Sequence, residues 1–123
     1  MPGPSNPCLA RPCARLFTAL RPFSLSPVRP CFSLCLDRSI IVNGYSPFGG
    51  AGQAGKLLSD PRLKKIAAAH NTGTAQVVLA WQWFGHKVVV NPEATNPEYQ
   101  KENMDFFDIG PLTVSEMAVL DGW

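Results

Sequence analysis

The chain has 123 residues, 46% of them hydrophobic, and 11 Lys and Arg against 9 Asp and Glu give a formal net charge of +2. That length suits one domain, the apolar share is that of a globular protein, and the charge is too small to mark a nucleic-acid or membrane-surface binder. No apolar run reaches the roughly 18–20 residues that a bilayer span requires.

Charge and proline divide the chain near Asp37. Residues 1–36 hold Pro at 2, 4, 7, 12, 22, 27 and 30, four Arg, four Ser, all four Cys and no acid, for a net +4. Residues 37–123 carry seven basic and nine acidic side chains, net −2, and five Pro. Proline fixes φ and removes a backbone donor, so this spacing leaves room for helix only around Leu16 to Leu20. Residues 1–36 are therefore expected to be a disordered Pro/Arg/Cys-rich leader, ahead of one ordered unit over 37–123. Arg and Ser without acids also suit an organelle transit peptide, but the prolines work against the amphipathic helix it needs. The expected compartment is the cytoplasm, with mitochondrion or plastid as the alternative if the leader is a transit peptide. Cys8, Cys13, Cys31 and Cys35 are spaced too loosely for zinc knuckles, and no secretory signal supports disulfides, so free thiols and no metal site are expected.

The ordered part begins with Ser39 to Tyr45, whose β-branched run Ile40-Ile41-Val42 suits a strand buried on both faces, as in a parallel sheet. Ser46 to Gly55, with four Gly and a Pro, reads as a loop. A helix follows, capped by Ser59 or Asp60 with Pro61 in its first turn, and Leu63, Ile66, Ala67 and His70 share one face. Thr74 to Phe84 reads as one further helix, capped by Thr72 or Thr74 and stopped by Gly85. Val88-Val89-Val90 is a short buried strand, and Asn96-Pro97-Glu98 starts a third helix. Thr113-Val114-Ser115-Glu116 is a capping box opening a fourth, with Met117 and Leu120 on its apolar face. Alternating strands and helices point to α/β with parallel strands. Two strands alone leave both edges of such a sheet open, so the pattern implies further strands.

Gly44-Tyr45-Ser46-Pro47-Phe48-Gly49, Leu57-Leu58-Ser59-Asp60-Pro61, Ile66-Ala67, His70-Asn71, Thr74-Ala75-Gln76-Val77, Val88-Val89-Val90-Asn91-Pro92, Glu102-Asn103 and Leu112-Thr113 carry a resemblance. In this order and spacing they resemble the C-terminal third of the aldo-keto reductases, from about Cys35 to Asp121. The resemblance implies the last two β/α units and terminal helix of a (β/α)8 barrel, a fold of typically about 250 residues. The fold expected is thus an incomplete TIM barrel behind the leader, in a chain truncated or mispredicted at its N-terminus.

By the same resemblance Tyr45 stacks on a nicotinamide ring, Ser46 and Phe48 line the pyrophosphate, and Glu102 and Asn103 hydrogen-bond adenine. Asn96, at the start of the third helix, joins these candidate cofactor contacts. After Pro92 the family usually has Lys, then Ser or Gly, and an Arg seven residues after the Pro, which bind the 2′-phosphate of NADPH. Glu93, Ala94 and Tyr99 stand in those places. Glu93 repels a phosphate and suits a free ribose hydroxyl, so the cofactor is NADPH or NADH with the 2′-phosphate preference in doubt. The motifs around the family's catalytic Asp, Tyr, Lys and His are absent from this sequence, so no catalytic residue is assigned.

The expected function is that of an aldo-keto-reductase-family oxidoreductase, reducing carbonyls with a nicotinamide cofactor, here without turnover alone. The alternative is a non-catalytic nucleotide-binding or subunit-interaction module. Expected partners are a nicotinamide dinucleotide, a small carbonyl substrate only in a full-length form, no nucleic acid and no membrane. An exposed sheet edge favours association with another chain.

Overall fold

The computed structural model describes residues 29–49 and 52–122. Helix α1 (Arg29–Asp37) leads into strand β1 (Val42–Tyr45). Helices α2 (Ala54–Leu58), α3 (Pro61–Ala69) and α4 (Thr74–Ala80) follow, and a π-helical turn over Trp81–Gly85 continues α4. Strand β2 (Val88–Asn91), helix α5 (Pro97–Asp105), a 3-10 turn over Phe106–Asp108 and helix α6 (Val114–Asp121) complete the order. β1 and β2 pair in parallel, with Val42 opposite Val88 and Tyr45 opposite Asn91. Parallel pairing obliges the chain to cross from one end of the pair to the other, and α2 to α4 make that crossing.

The punctuation read from the sequence accounts for three helix starts. Asp60 caps α3 by accepting from the Arg62 N–H at 2.8 Å, with Pro61 in the first turn. Asn96 caps α5 by accepting from the Glu98 N–H at 2.9 Å, again ahead of a proline. Thr113 and Glu116 form the capping box of α6. Gly73, rather than Thr72 or Thr74, is the cap position of α4, and its N–H donates to Gln76 Oε1 at 2.9 Å.

The core is built around α4. Val77, Val78, Leu79 and Ala80 are all 0% exposed, so the second half of this helix is buried on every side rather than along one stripe. Val77, Val78 and Trp81 pack with Leu63, Ile66 and Ala67 of α3 and with Leu112 and Leu120 near α6. On another flank Leu79 and Ala80 meet Phe106, backed by Phe48, Trp83, Phe84 and Val90. Two histidine–carboxylate contacts tie down α6: His70 Nε2 lies 2.9 Å from Glu116 Oε1, and His86 Nε2 lies 2.8 Å from Asp121 Oδ1.

Four expectations are corrected. Order begins before Asp37: α1 occupies Arg29–Asp37, with Pro30 in its first turn where a missing N–H costs nothing, and Phe32 and Cys35 are buried with Val42 and Val88. The remainder of the expected leader lies outside the described residues. β1 is shorter than Ser39 to Tyr45, and it alternates, with Val42 and Gly44 buried and Asn43 and Tyr45 exposed. Only one partner strand and one covered face are present among the described residues, so Ile41 stays 78% exposed. The second half of Ser46 to Gly55 is not all loop, because Ala54 already starts α2. The Thr74 to Phe84 helix changes at Trp81 into a wider π turn. Among the described residues no helix is long and apolar enough to cross a membrane.

Candidate functional site

Because β1 and β2 are parallel, the segments that follow them leave from the same end of the sheet. After β1 the chain turns sharply. Gly49 N–H donates to Ser46 O at 2.9 Å, with Ser46 at φ 51° and Gly49 at φ 93°. Glycine takes that left-handed conformation freely, whereas serine takes it at a cost that the surrounding structure must support. Part of that support is Gln82. This residue is 2% exposed in the π turn, and its Nε2 donates to the Pro47 carbonyl at 3.0 Å. After β2, Asn91 Nδ2 donates to the Gly44 carbonyl at 2.9 Å and also to Asn43 Oδ1, which locks the two strand ends together.

Between these segments lies a cavity of about 600 Å³. Phe48 enters it from the loop after β1, Glu93, Ala94 and Thr95 from the loop after β2, and Tyr99, Glu102 and Asn103 from α5. Leu58 and the Gly73-Thr74-Ala75 segment form the remaining wall. The volume is within the range of small-ligand sites. Gln76 fixes the α5 side by donating from Nε2 to the Glu102 carbonyl oxygen at 3.1 Å.

Asn103 is the distinctive group of this cavity. The residue is about nine-tenths buried at 9% exposure, and its amide has no hydrogen-bond partner among the described residues. Buried amides are ordinarily paired, because an unmade hydrogen bond costs about 1–3 kcal/mol. An unpaired carboxamide lining a cavity presents one acceptor and two donor hydrogens to whatever enters. The cavity walls supply two carboxylates, Glu93 and Glu102, and neither lysine nor arginine.

The seven candidate residues thus fall into two sets. Phe48, Glu93, Glu102 and Asn103 line one cavity, together with Tyr99. Tyr45, Ser46 and Asn96 do not. Tyr45 is at the tip of β1, 39% exposed and in register with Asn91; Ser46 is the strained turn residue beside it; Asn96 spends its side-chain oxygen on capping α5. The sequence did not disclose Leu58, the Gly73-Thr74-Ala75 wall or Gln82 as parts of this region: Leu58, Thr74 and Ala75 carried the resemblance without a ligand role, and none of these residues follows a strand. Among the described residues there is no group of three or more metal-ligating side chains.

No protein-family model matches the chain. Individual proteins do. Morphine 6-dehydrogenase of Pseudomonas putida is 40% identical over 91 residues, which are 67% of this chain and 30% of that enzyme. The solved structure of MGS-M4, an aldo-keto reductase enzyme from a Medee basin deep-sea metagenome library, superposes with a TM-score of 0.67 at 27% identity, covering 76% of this chain and 33% of that one. A mutant of Gox0644, solved in complex with NADPH, gives a TM-score of 0.66 at 30% identity over 76% of this chain and 32% of that one. The chain therefore spans about a third of the length of the proteins it matches.

Proposed function

Since this chain belongs to the aldo-keto reductase family, we propose that it carries the adenosine-holding part of a nicotinamide-dinucleotide site for carbonyl reduction. The observation that carries the reading is the buried, unpartnered Asn103 amide in a cavity that also gathers Phe48, Tyr99 and Glu102. An Asn carboxamide matches the donor and acceptor pair on the edge of adenine, which pays back the burial of its own unpaired groups. Phe48 and Tyr99 supply flat apolar surface beside it. NADPH in the Gox0644 structure supports the choice of ligand class.

A bound NAD(P)H supplies hydride to a carbonyl carbon. This chain's contribution is to bind and orient. Tyr45, at the strand tip on the side from which both loops leave, presents an exposed aromatic face suited to a nicotinamide ring, and Ser46 and Phe48 in the following turn lie on the way to the adenosine cavity. No described side chain is assigned to deliver a proton. The expected activity of the chain alone is cofactor binding without carbonyl turnover.

Titration of the full chain with NADH and NADPH, read by intrinsic fluorescence, tests the reading. Saturable quenching without carbonyl-dependent loss of the reduced cofactor is expected. No response to either nucleotide contradicts it.

A second reading, association through the sheet, is favoured by Ile40 at 52% and Ile41 at 78% exposure beside a two-stranded pair with open edges. Analytical ultracentrifugation decides it: a concentration-dependent larger species supports association, and a monomer throughout refutes it.

A further inference from the structure

The carboxylate at the end of α6 meets the residues at both ends of the π turn. We infer that Asp121 is a remote positioning residue of the candidate site: by holding Trp81–Gly85 in its π register it keeps Gln82 on the Pro47 carbonyl, and so fixes the turn that carries Phe48 to the cavity. The coupling is independent of which ligand the cavity takes.

The input is a contact that only the π register allows. Residues sharing one face of an α-helix lie three or four apart, whereas the i→i+5 bonds of a π turn bring residues five apart together. Trp81 and His86 are such a pair, and one oxygen serves both. Asp121 Oδ1 accepts from Trp81 Nε1–H at 2.8 Å and lies 2.8 Å from His86 Nε2. The two rings meet edge to face, 5.1 Å between centroids. An α register would part these rings around the helix and leave that oxygen in reach of one of them. Met117, one turn earlier on α6, lays its thioether end against Gly85, where a Cβ would come within 2.2 Å of Met117 Cε. A π turn is a rare state of a helical backbone, so contacts from outside the helix must hold it, and α6 supplies these.

The output is on the other side of the turn. Gln82, next to Trp81, is 2% exposed and donates from Nε2 to the Pro47 carbonyl at 3.0 Å. Pro47 stands between Ser46, at φ 51°, and Phe48, and the Gly49 N–H closes the turn on Ser46 O at 2.9 Å. A serine keeps that conformation only while its surroundings impose it. Loss of the π register rotates Gln82 about the helix axis and withdraws the buried bond from Pro47. Each link from Asp121 to Phe48 is thus a hydrogen bond or a stretch of backbone, and the element between them has two discrete registers. The other end of α6 is tied differently: Thr113 and Glu116 cap the helix, and Glu116 meets His70 at the end of α3, 2.9 Å away.

Amide hydrogen exchange of the full chain tests the coupling, with the Gly49 N–H as reporter and the Val78 and Leu79 amides of α4 as references. Asp121→Leu, which removes the shared acceptor, is expected to speed Gly49 exchange by about tenfold or more and the references by clearly less. Asp121→Asn keeps a carbonyl oxygen in place and is expected to restore most of the protection. Gln82→Met should speed Gly49 by itself, and Asp121→Leu added to it should change the rate by less than about twofold. Thr113→Ala loosens the other end of α6 and should leave Gly49 within about twofold of the parent chain. His86→Phe keeps a ring beside Trp81 and loses the bond to Asp121; it should speed Gly49 in the same direction, and it carries the test should the leucine variant not fold. Unchanged Gly49 exchange in Asp121→Leu, or in His86→Phe where that variant carries the test, overturns the inference. So does a rise shared equally by Val78 and Leu79, an equal rise in Thr113→Ala, or a double variant in which the two effects multiply.

Discussion

Gln82 makes the most demanding stability prediction, because its one hydrogen bond joins the interior to the candidate site. The side chain is 2% exposed, and its Nε2 meets a buried carbonyl, that of Pro47, at 3.0 Å. Gln82→Met keeps the length and most of the volume and removes the donor. The Pro47 carbonyl is then buried without its partner, at a cost of about 1–3 kcal/mol. The volume change adds little, since unbranched isosteric swaps in cores cost under about 1.5 kcal/mol. A loss of 1 kcal/mol lowers the midpoint of a domain of 60–100 residues by about 4–8 °C, so a clear drop is expected in a melt followed by circular dichroism. Pro47 also sits between the strained Ser46 and the cavity residue Phe48, so NADH affinity should fall along with stability. A variant with an unchanged midpoint and unchanged affinity would refute the role given to this bond.

The capping box of α6 makes a pH prediction. Burial pushes the Glu116 carboxyl up, but the Thr113 N–H and hydroxyl and the facing His70 together outweigh it and hold the group below its ordinary 4.5. A depressed carboxylate stabilises the fold fully above the unfolded value and stops doing so as pH falls through the folded one. Glu116→Gln should therefore lower the midpoint at neutral pH and flatten its decline below about pH 4.5, whereas a parallel acid limb in both proteins contradicts the assignment. Thr113→Ala removes the cap itself and should cost about 0.5–2 kcal/mol in denaturant unfolding. Gly85→Ala places a Cβ 2.2 Å from Met117 Cε and 2.8 Å from its Sδ, so the flexible end of the methionine must swing aside, at a cost expected to stay below about 1.5 kcal/mol. Met117→Ala in the same chain should recover part of that loss, and simple additivity of the two substitutions would show that they do not meet.

What the sequence disclosed was local and chemical. Asp60-Pro61, Asn96-Pro97 and the Thr113/Glu116 pair announced three helices, because a cap is a short-range hydrogen bond whose donors and acceptors are adjacent in the chain. What it concealed depended on distant partners. Ile40 and Ile41 have strand propensity, but pairing decides where β1 starts, and that begins at Val42. The apolar periodicity of Trp81 to Phe84 continues that of α4 without a break, so the π turn is invisible until Gln82 is seen reaching Pro47. His86 reads as a solvated turn residue. Folding brings it against Asp121 at 2.8 Å and places its ring edge-on to Trp81, 5.1 Å between centroids. The cavity was half legible. Glu93, Glu102 and Asn103 were visible through their positions in a resemblance, whereas Leu58 and the Gly73 to Ala75 wall arrive only through the packing of α2 and α4.

The measurement closest to the heart of the account is Asn103→Leu, examined by thermal melting and by NADH titration on the same preparation. An unpaired buried amide has little to lose in the free protein, and an apolar replacement of similar shape is neutral or stabilising. The account predicts an unchanged or higher midpoint with NADH binding weakened by about tenfold or more. A variant that binds NADH like the parent chain would contradict it.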